Sequence, residues 1–417
     1  MAHIKGLKGE LAMHVPDSAA SSRYHELDSL RGVAAFTVLV FHFAMIFPII
    51  AADTTARSNM LWLNIFKYSP LRILFAGSEA VLLFFVLSGF VLSLQFKPGR
   101  SVRYPTFIIR RICRIYLPYV AAVALAFTLH SVIRHVTIVG LSSEVSSVWT
   151  TPITWRTIIS HIIFIVGNVN WNASEGVIWS LIFEMRISVI FPLVMLMVNR
   201  LRWQISLSIG VLLYVFAFLQ NIVFGNDIAT DPYYTIFTTH NQYLDTCIYL
   251  LCFILGAILA KHITEISRFY HGLTSTGKIL IVGLTILGFT YGYLWPLNTH
   301  HRITQRSITY LFNTTGASLA IILALASSRF SRFLMTKPIV FLGKISYSLY
   351  LCHFIVLIGS IYLLYKILPI WAILSIAFVL SFALATFAYH FVERPSITLG
   401  KRLTKPKNNV VPARVSY

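Results

Sequence analysis

Ten stretches of about 20 mostly apolar residues recur along this chain, each long enough for a helix to cross a bilayer. They lie near 31–51, 77–96, 116–134, 176–198, 204–224, 243–261, 278–296, 307–327, 345–366 and 369–391. Composition agrees with them. Hydrophobic residues make up 57% of the 417 residues and charged ones 12%, too apolar a mixture for a core surrounded by water. A soluble enzyme, a disordered chain and a disulfide-stapled secreted domain are excluded. The expected fold is an all-α polytopic membrane protein of ten transmembrane helices. The shorter apolar segment 152–167 is expected as a re-entrant or interfacial helix.

The net charge of +20 would suggest a nucleic-acid partner if the cations were spread over one soluble surface. They sit instead in short stretches between the apolar runs. Ten alternating spans leave 25 Lys and Arg on the side of the two termini, 8 on the other, and Arg186 inside a span. This asymmetry places both termini in the cytoplasm and makes a full eleventh span at 152–167 incompatible with the bias. The chain is expected to divide into a polar tail (1–26), a helical domain (27–396) and a basic tail (397–417), and no cleavable leader is expected before the first run. Cys113, Cys247, Cys252 and Cys352 have neither metal-site nor redox spacing, so no metal is expected.

Ionisable groups at membrane depth are costly and so mark candidate sites. Arg31 and His42 lie eleven residues apart, which returns them to one helix face about 16 Å apart along the axis. Arg31 at a cytoplasmic mouth suits a phosphate or carboxylate, and His42 near mid-span suits a general base. A boundary arginine and a packed histidine fit the spacing equally well. Glu184, counted from the other face, reaches a similar depth and is expected to orient His42. Arg186, two residues on, points to a different side of the helix, or neutralises Glu184 through a third partner. Arg111 and Arg114, at i and i+3, can grip an anionic cofactor or simply set topology. Ser88-Gly89 fits a close helix crossing better than a nucleophile. His353 ends a polar stretch from Gly343 and is either a ligand-side donor or a packing histidine.

These stretches together resemble the membrane-bound acyltransferase-3 family. The resemblance begins at Glu26-Leu27-Asp28-Ser29-Leu30-Arg31-Gly32, with His42 following Arg31. It continues through Phe84–Phe90, Arg111 to Arg114, Trp179-Ser180-Leu181 with Glu184, the 343–353 segment and Val392-Glu393-Arg394-Pro395. It implies transfer of an acyl group, usually acetyl, from cytoplasmic acyl-CoA to a hydroxyl on a carbohydrate or lipid-linked glycan. A bacterial cytoplasmic membrane is the expected location. Carried across, His42 is the general base, Arg31 holds part of acetyl-CoA or orients the reacting groups, and Arg111 and Arg114 bind coenzyme phosphates, with Ser88, Glu184 and His353 lining the site. The chain departs from the family where Ala80-Val81-Leu82 replaces Gly-Val-Asp, and where Ile187-Ser188 replaces an aromatic pair after Glu184. Both departures bear on the acceptor pocket. The extracellular hydrolase-like domain fused to some members is not expected here. A transporter of acyl groups or glycans, and an N-acyltransferase acting on an amino sugar, are the alternatives. The outer segments carry Trp149, Trp155, Trp171, Asp227 and Asp231, residue types suited to sugars.

Overall fold

The computed structural model describes residues 24–405 apart from 52–59, 97–101, 134–137, 139, 166–168, 170–172, 175, 224–241 and 295–301. Trp171, Asp227, Asp231, the N-terminal tail to residue 23 and the last residues from 406 therefore lie outside the described residues. Among the described residues the regular structure is all helical. Ten helices are long and apolar enough to cross a membrane. They are α1 (His25–Met45), α2 (Gly77–Phe96), α3 (Tyr104–Val132), α4 (Trp179–Arg200), α5 (Trp203–Gln220), α6 (Gln242–Lys261), α7 (Ser275–Gly292), α8 (Ser307–Ala326), α9 (Lys337–Leu364) and α10 (Ile370–Leu403). Helices serve here because hydrocarbon offers no partner to an unpaired backbone N–H or C=O.

Their first member is shifted from expectation. The apolar run at 31–51 continues past the end of α1, but Pro48 cannot continue a helix and opens a separate turn at Pro48–Ala51. At the other end Glu26 and Asp28 occupy the first turn, where the helix dipole favours carboxylates. His42 accordingly lies within one turn of the α1 C-terminus rather than at mid-helix.

α2 and α9 form the centre, with 72% and 78% of their apolar windows buried, whereas α5, α7 and α10 at 22% face mainly outward. Two close crossings hold the centre together. Gly32 of α1 lies on the backbone of Gly343 in α9, and Gly89 of α2 lies on the backbone of Phe253 in α6. Small residues let backbones meet, as expected for the Ser88-Gly89 pair. A Gly32→Ala change would drive its methyl into the α9 backbone. An overpacking cost of about 1–3 kcal/mol is expected, read as a lower thermal midpoint in detergent; an unchanged midpoint would mean α1 and α9 can part freely.

α3 and α10 each contain one wide π-turn, Ile112–Tyr116 and Tyr389–Glu393. Pro118 and Pro395 follow them, and the widening relieves the clash of each ring with the carbonyl four residues back. Helix continues after Pro395 to Leu403, so the first residues of the expected basic tail are folded, with Gly400 against Cys113.

At the ends opposite the chain termini, two short amphipathic helices lie outside the bundle. Trp155–Ile162 exposes Trp155, Ile158, Ile159 and Ile162 while burying His161, and at eight residues it is interfacial rather than spanning. Leu61–Tyr68, not anticipated from the sequence, exposes Leu61, Trp62, Ile65 and Phe66 and turns Lys67 inward to the Ile49 carbonyl. Trp149, of a residue type suited to sugars, is only 3% exposed and stacks between His130 and Tyr362. Its indole N–H donates to the Ser174 carbonyl.

His161 pins the same loop. Its Nδ1–H donates to the Thr157 carbonyl at 2.8 Å, so Nε2 accepts from the Ser174 hydroxyl at 2.9 Å. Burial lowers its pKa from the ordinary 6.5. The unfolded chain therefore binds the proton more readily, and this site's contribution is intact above pH 6.5 and shrinks as pH falls through it. Stability is expected to fall by up to about 1.4 kcal/mol per pH unit below that point. Thermal midpoints between pH 7.5 and 5 should drop less steeply in His161→Phe; equal slopes would contradict the assignment.

Candidate functional site

At the end of the bundle that carries the chain termini, a cavity of about 180 Å³ opens between α1, α2, α3 and α10. Arg31, Arg110, Arg111, Arg114 and Lys401 line it together with Ser88, Gln95 and Phe107, and its lining includes no carboxylate. Arg110, Arg114 and Lys401 are exposed, so the cations are open to a soluble anion. Arg110 and Lys401 belong to the site although neither was anticipated. Lys401 lies in what reads as a solvated tail, and only the helical continuation of α10 brings it back. Arg110 Nε also donates to Thr404 Oγ1 at 2.7 Å, tying the end of α10 over the cavity.

Arg111 is held from beneath. Its Nη2 donates to Glu184 Oε1 at 2.8 Å and to Ser188 Oγ at 2.9 Å, and its Nε donates to Ser188 Oγ at 3.2 Å. The Ser88 hydroxyl donates to the same Glu184 oxygen at 2.9 Å. Glu184 therefore does not orient His42, as equal depth had suggested; it pairs with Arg111 and Ser88. Depth along a helix says nothing of which neighbour a side chain faces. Ser188, one of the family departures, supplies a hydroxyl where an aromatic ring would leave Arg111 short of a partner.

Two smaller cavities continue inward. One of about 30 Å³ is lined by Arg31, Phe84, Ser180, Glu184, Tyr347 and Tyr350, among others. The next, about 20 Å³, is lined by His42, Val81, Gly77, Val177, Trp179 and Tyr350, among others. Arg31 is common to the first two cavities and Tyr350 to the last two. Tyr350 OH donates to the Val177 carbonyl at 3.0 Å and lies 2.8 Å from Ser180 Oγ. The Ala80-Val81-Leu82 departure falls beside His42: Val81 lines its cavity and Leu82 is fully buried.

His42 is partly buried, and its neighbour is His353, not a carboxylate. His353 Nε2 lies 3.2 Å from His42 Nδ1, with the ring centroids 5.2 Å apart. His353 is fully buried and does not line the basic cavity. Arg186 likewise stands apart. It donates to the carbonyls of Ile165 at 3.0 Å and Gln242 at 3.1 Å and packs on the Tyr243 ring, bracing the far-end loops. Glu393 accepts a 2.7 Å hydrogen bond from Ser348, linking α10 to α9. Among the described residues no group of three His, Cys, Asp or Glu side chains could hold a metal.

A cation-lined mouth, a string of cavities and an imidazole at its far end suit group transfer from an anionic carrier. Comparison with known families names the class: residues 24–390 match the acyltransferase domain of the acyltransferase-3 family. The chain belongs to that family. YrhL of Bacillus subtilis (strain 168), named for a candidate peptidoglycan O-acetyltransferase activity, is 22% identical over 389 residues, covering 90% of this chain and 55% of the relative. The O-acetyltransferase OatA of Staphylococcus aureus (strain NCTC 8325 / PS 47) is 25% identical over 396 residues, covering 88% of this chain and 56% of the relative. The chain thus spans about half the length of these curated relatives. No solved structure matches it. The chain is an integral, multi-pass membrane protein of that family.

Proposed function

We propose that this acyltransferase moves an acyl group, acetyl before others, from acyl-CoA bound at the basic end to a carbohydrate hydroxyl reached from the opposite end. The observation that carries this reading is the three-cavity string, with five cations at one mouth and His42 at the other extreme. Coenzyme A is polyanionic at its nucleotide end and carries its thioester on a long, thin, amide-containing arm. Arg31, Arg110, Arg114 and Lys401 suit the phosphates. Arg31 and His42 are separated by about 16 Å along α1, and an extended pantetheine arm, comparable to about five peptide residues, spans ~16 Å. The basic end then faces the cytoplasm, as the distribution of cations favours, and a bacterial cytoplasmic membrane fits the relatives' sources.

In this reading the acceptor oxygen attacks the thioester carbonyl while His42 Nε2 takes its proton. The carbon–sulfur bond breaks, and the imidazolium returns the proton to the departing thiolate. Glu184 acts one step back, holding Arg111 and Ser88 at the donor cavity. The relatives' names make a peptidoglycan-type glycan the first acceptor to try.

The test is release of free CoA from acetyl-CoA by the purified protein in lipid, with and without peptidoglycan fragments and other glycans. Acceptor-dependent release, weakened by Arg114→Ala mainly through a higher KM for acetyl-CoA, is the expected result. Glycan movement without any acylated product would favour a transporter. Acylation of amino sugars alone would make the enzyme an N-acyltransferase.

A further inference from the structure

We infer that His353 is a positioning residue that presents His42 to substrate in one tautomer and shares the charge His42 acquires. This rests on the assignment of His42 as the base and adds a partner to it.

The hydrogen bonds leave little choice of proton placement. Each imidazole Nδ1 faces the carbonyl four residues earlier: His353 Nδ1 lies 2.9 Å from the Leu349 oxygen, and His42 Nδ1 lies 2.9 Å from the Val38 oxygen. A carbonyl only accepts, so both Nδ1 atoms carry hydrogen. The Nε2 atom of a neutral His353 is then bare, and it lies 3.2 Å from His42 Nδ1. His42 Nδ1–H is therefore divided between the Val38 carbonyl and His353 Nε2. Its own Nε2 keeps a lone pair, on the ring that lines the innermost cavity. His353, fully buried, has no such access.

The register that makes this pair is built into the helix packing. The same offset of 311 residues separates His42 from His353 and Gly32 from Gly343. α1 and α9 run parallel from the glycine crossing, with Ala35, Leu39, Ile345 and Leu349 packed between the two points. Ten residues, about 15 Å of helix, separate the crossing from the histidines. A shift of one residue in either helix would turn one ring away from the other.

When His42 accepts the acceptor's proton, its Nδ1–H becomes a stronger donor, and His353 Nε2 is the side-chain acceptor aimed at it. The pair thus performs the orienting task that a carboxylate performs in a Ser-His-Asp triad, without placing a second charge in the membrane.

The test compares steady-state kinetics of wild type, His353→Phe, His353→Gln and His42→Ala with acetyl-CoA and an accepted glycan. Phenylalanine keeps the ring volume and removes the acceptor; glutamine restores an acceptor oxygen near the Nε2 position. His353→Phe should lose about 10- to 100-fold in kcat with the KM for acetyl-CoA within about twofold, since the Val38 carbonyl still orients Nδ1. His353→Gln should recover most of that loss. Equal rates in the two variants, or a loss confined to the KM for acetyl-CoA, would overturn the role of His353 while leaving His42 as base. Full turnover in His42→Ala would overturn both assignments.

Discussion

Replacing His42 with alanine should lower kcat by about 10²–10⁴-fold while acetyl-CoA continues to bind. The two effects separate because the cations that face the coenzyme line a different cavity from the imidazole. Loss of the ring leaves the acceptor hydroxyl without a base, and water is a poor substitute in a cavity of about 20 Å³. Isothermal titration with acetyl-CoA should give a dissociation constant within a few-fold of wild type. A His42→Ala protein that neither turns over nor binds coenzyme, although correctly folded, would mean that the histidine belongs to the donor site.

The second large effect concerns folding. Glu184→Ala should strip Arg111 of its carboxylate at a position where the arginine is only 8% exposed. Breaking one side of a buried pair costs about 3–5 kcal/mol, because the remaining charge stays desolvated. That is a large share of the stability of an ordinary domain. The double change Arg111→Met with Glu184→Leu should recover most of the thermal midpoint, because both charges then leave together. It should not recover donor affinity, since Arg111 lines the basic cavity. Equal destabilisation in the single and double variants would show that packing, rather than the ion pair, sets the cost.

The span count and the pairing of Arg31 with His42 on one helix face were legible because hydropathy and a 100° step are properties of single segments. Depth was less so. The apolar run of α1 overshoots Met45 into a turn opened by Pro48, and this moved His42 from mid-helix to within a turn of the helix end. Lateral neighbours were not legible at all. Glu184 and His42 matched in counted depth, but α3 inserts Arg111 beside the carboxylate, while α9 brings His353 to the imidazole across 311 residues of chain. Lys401 was hidden for another reason. Charge following Pro395 reads as a solvated tail, yet the π-turn at Tyr389–Glu393 lets the helix carry on and bring that charge to the cavity mouth.

In the proposed reaction donor and acceptor enter from opposite ends and meet at His42, and this arrangement is open to a direct test. It is tested most directly in sealed vesicles carrying the chain in one orientation, with labelled acetyl-CoA confined to one face and the glycan to the other. O-acetylated glycan is expected only when acetyl-CoA is on the face bearing Arg110, Arg114 and Lys401, with no label retained on the protein. Product formed only when both substrates share one face would contradict it.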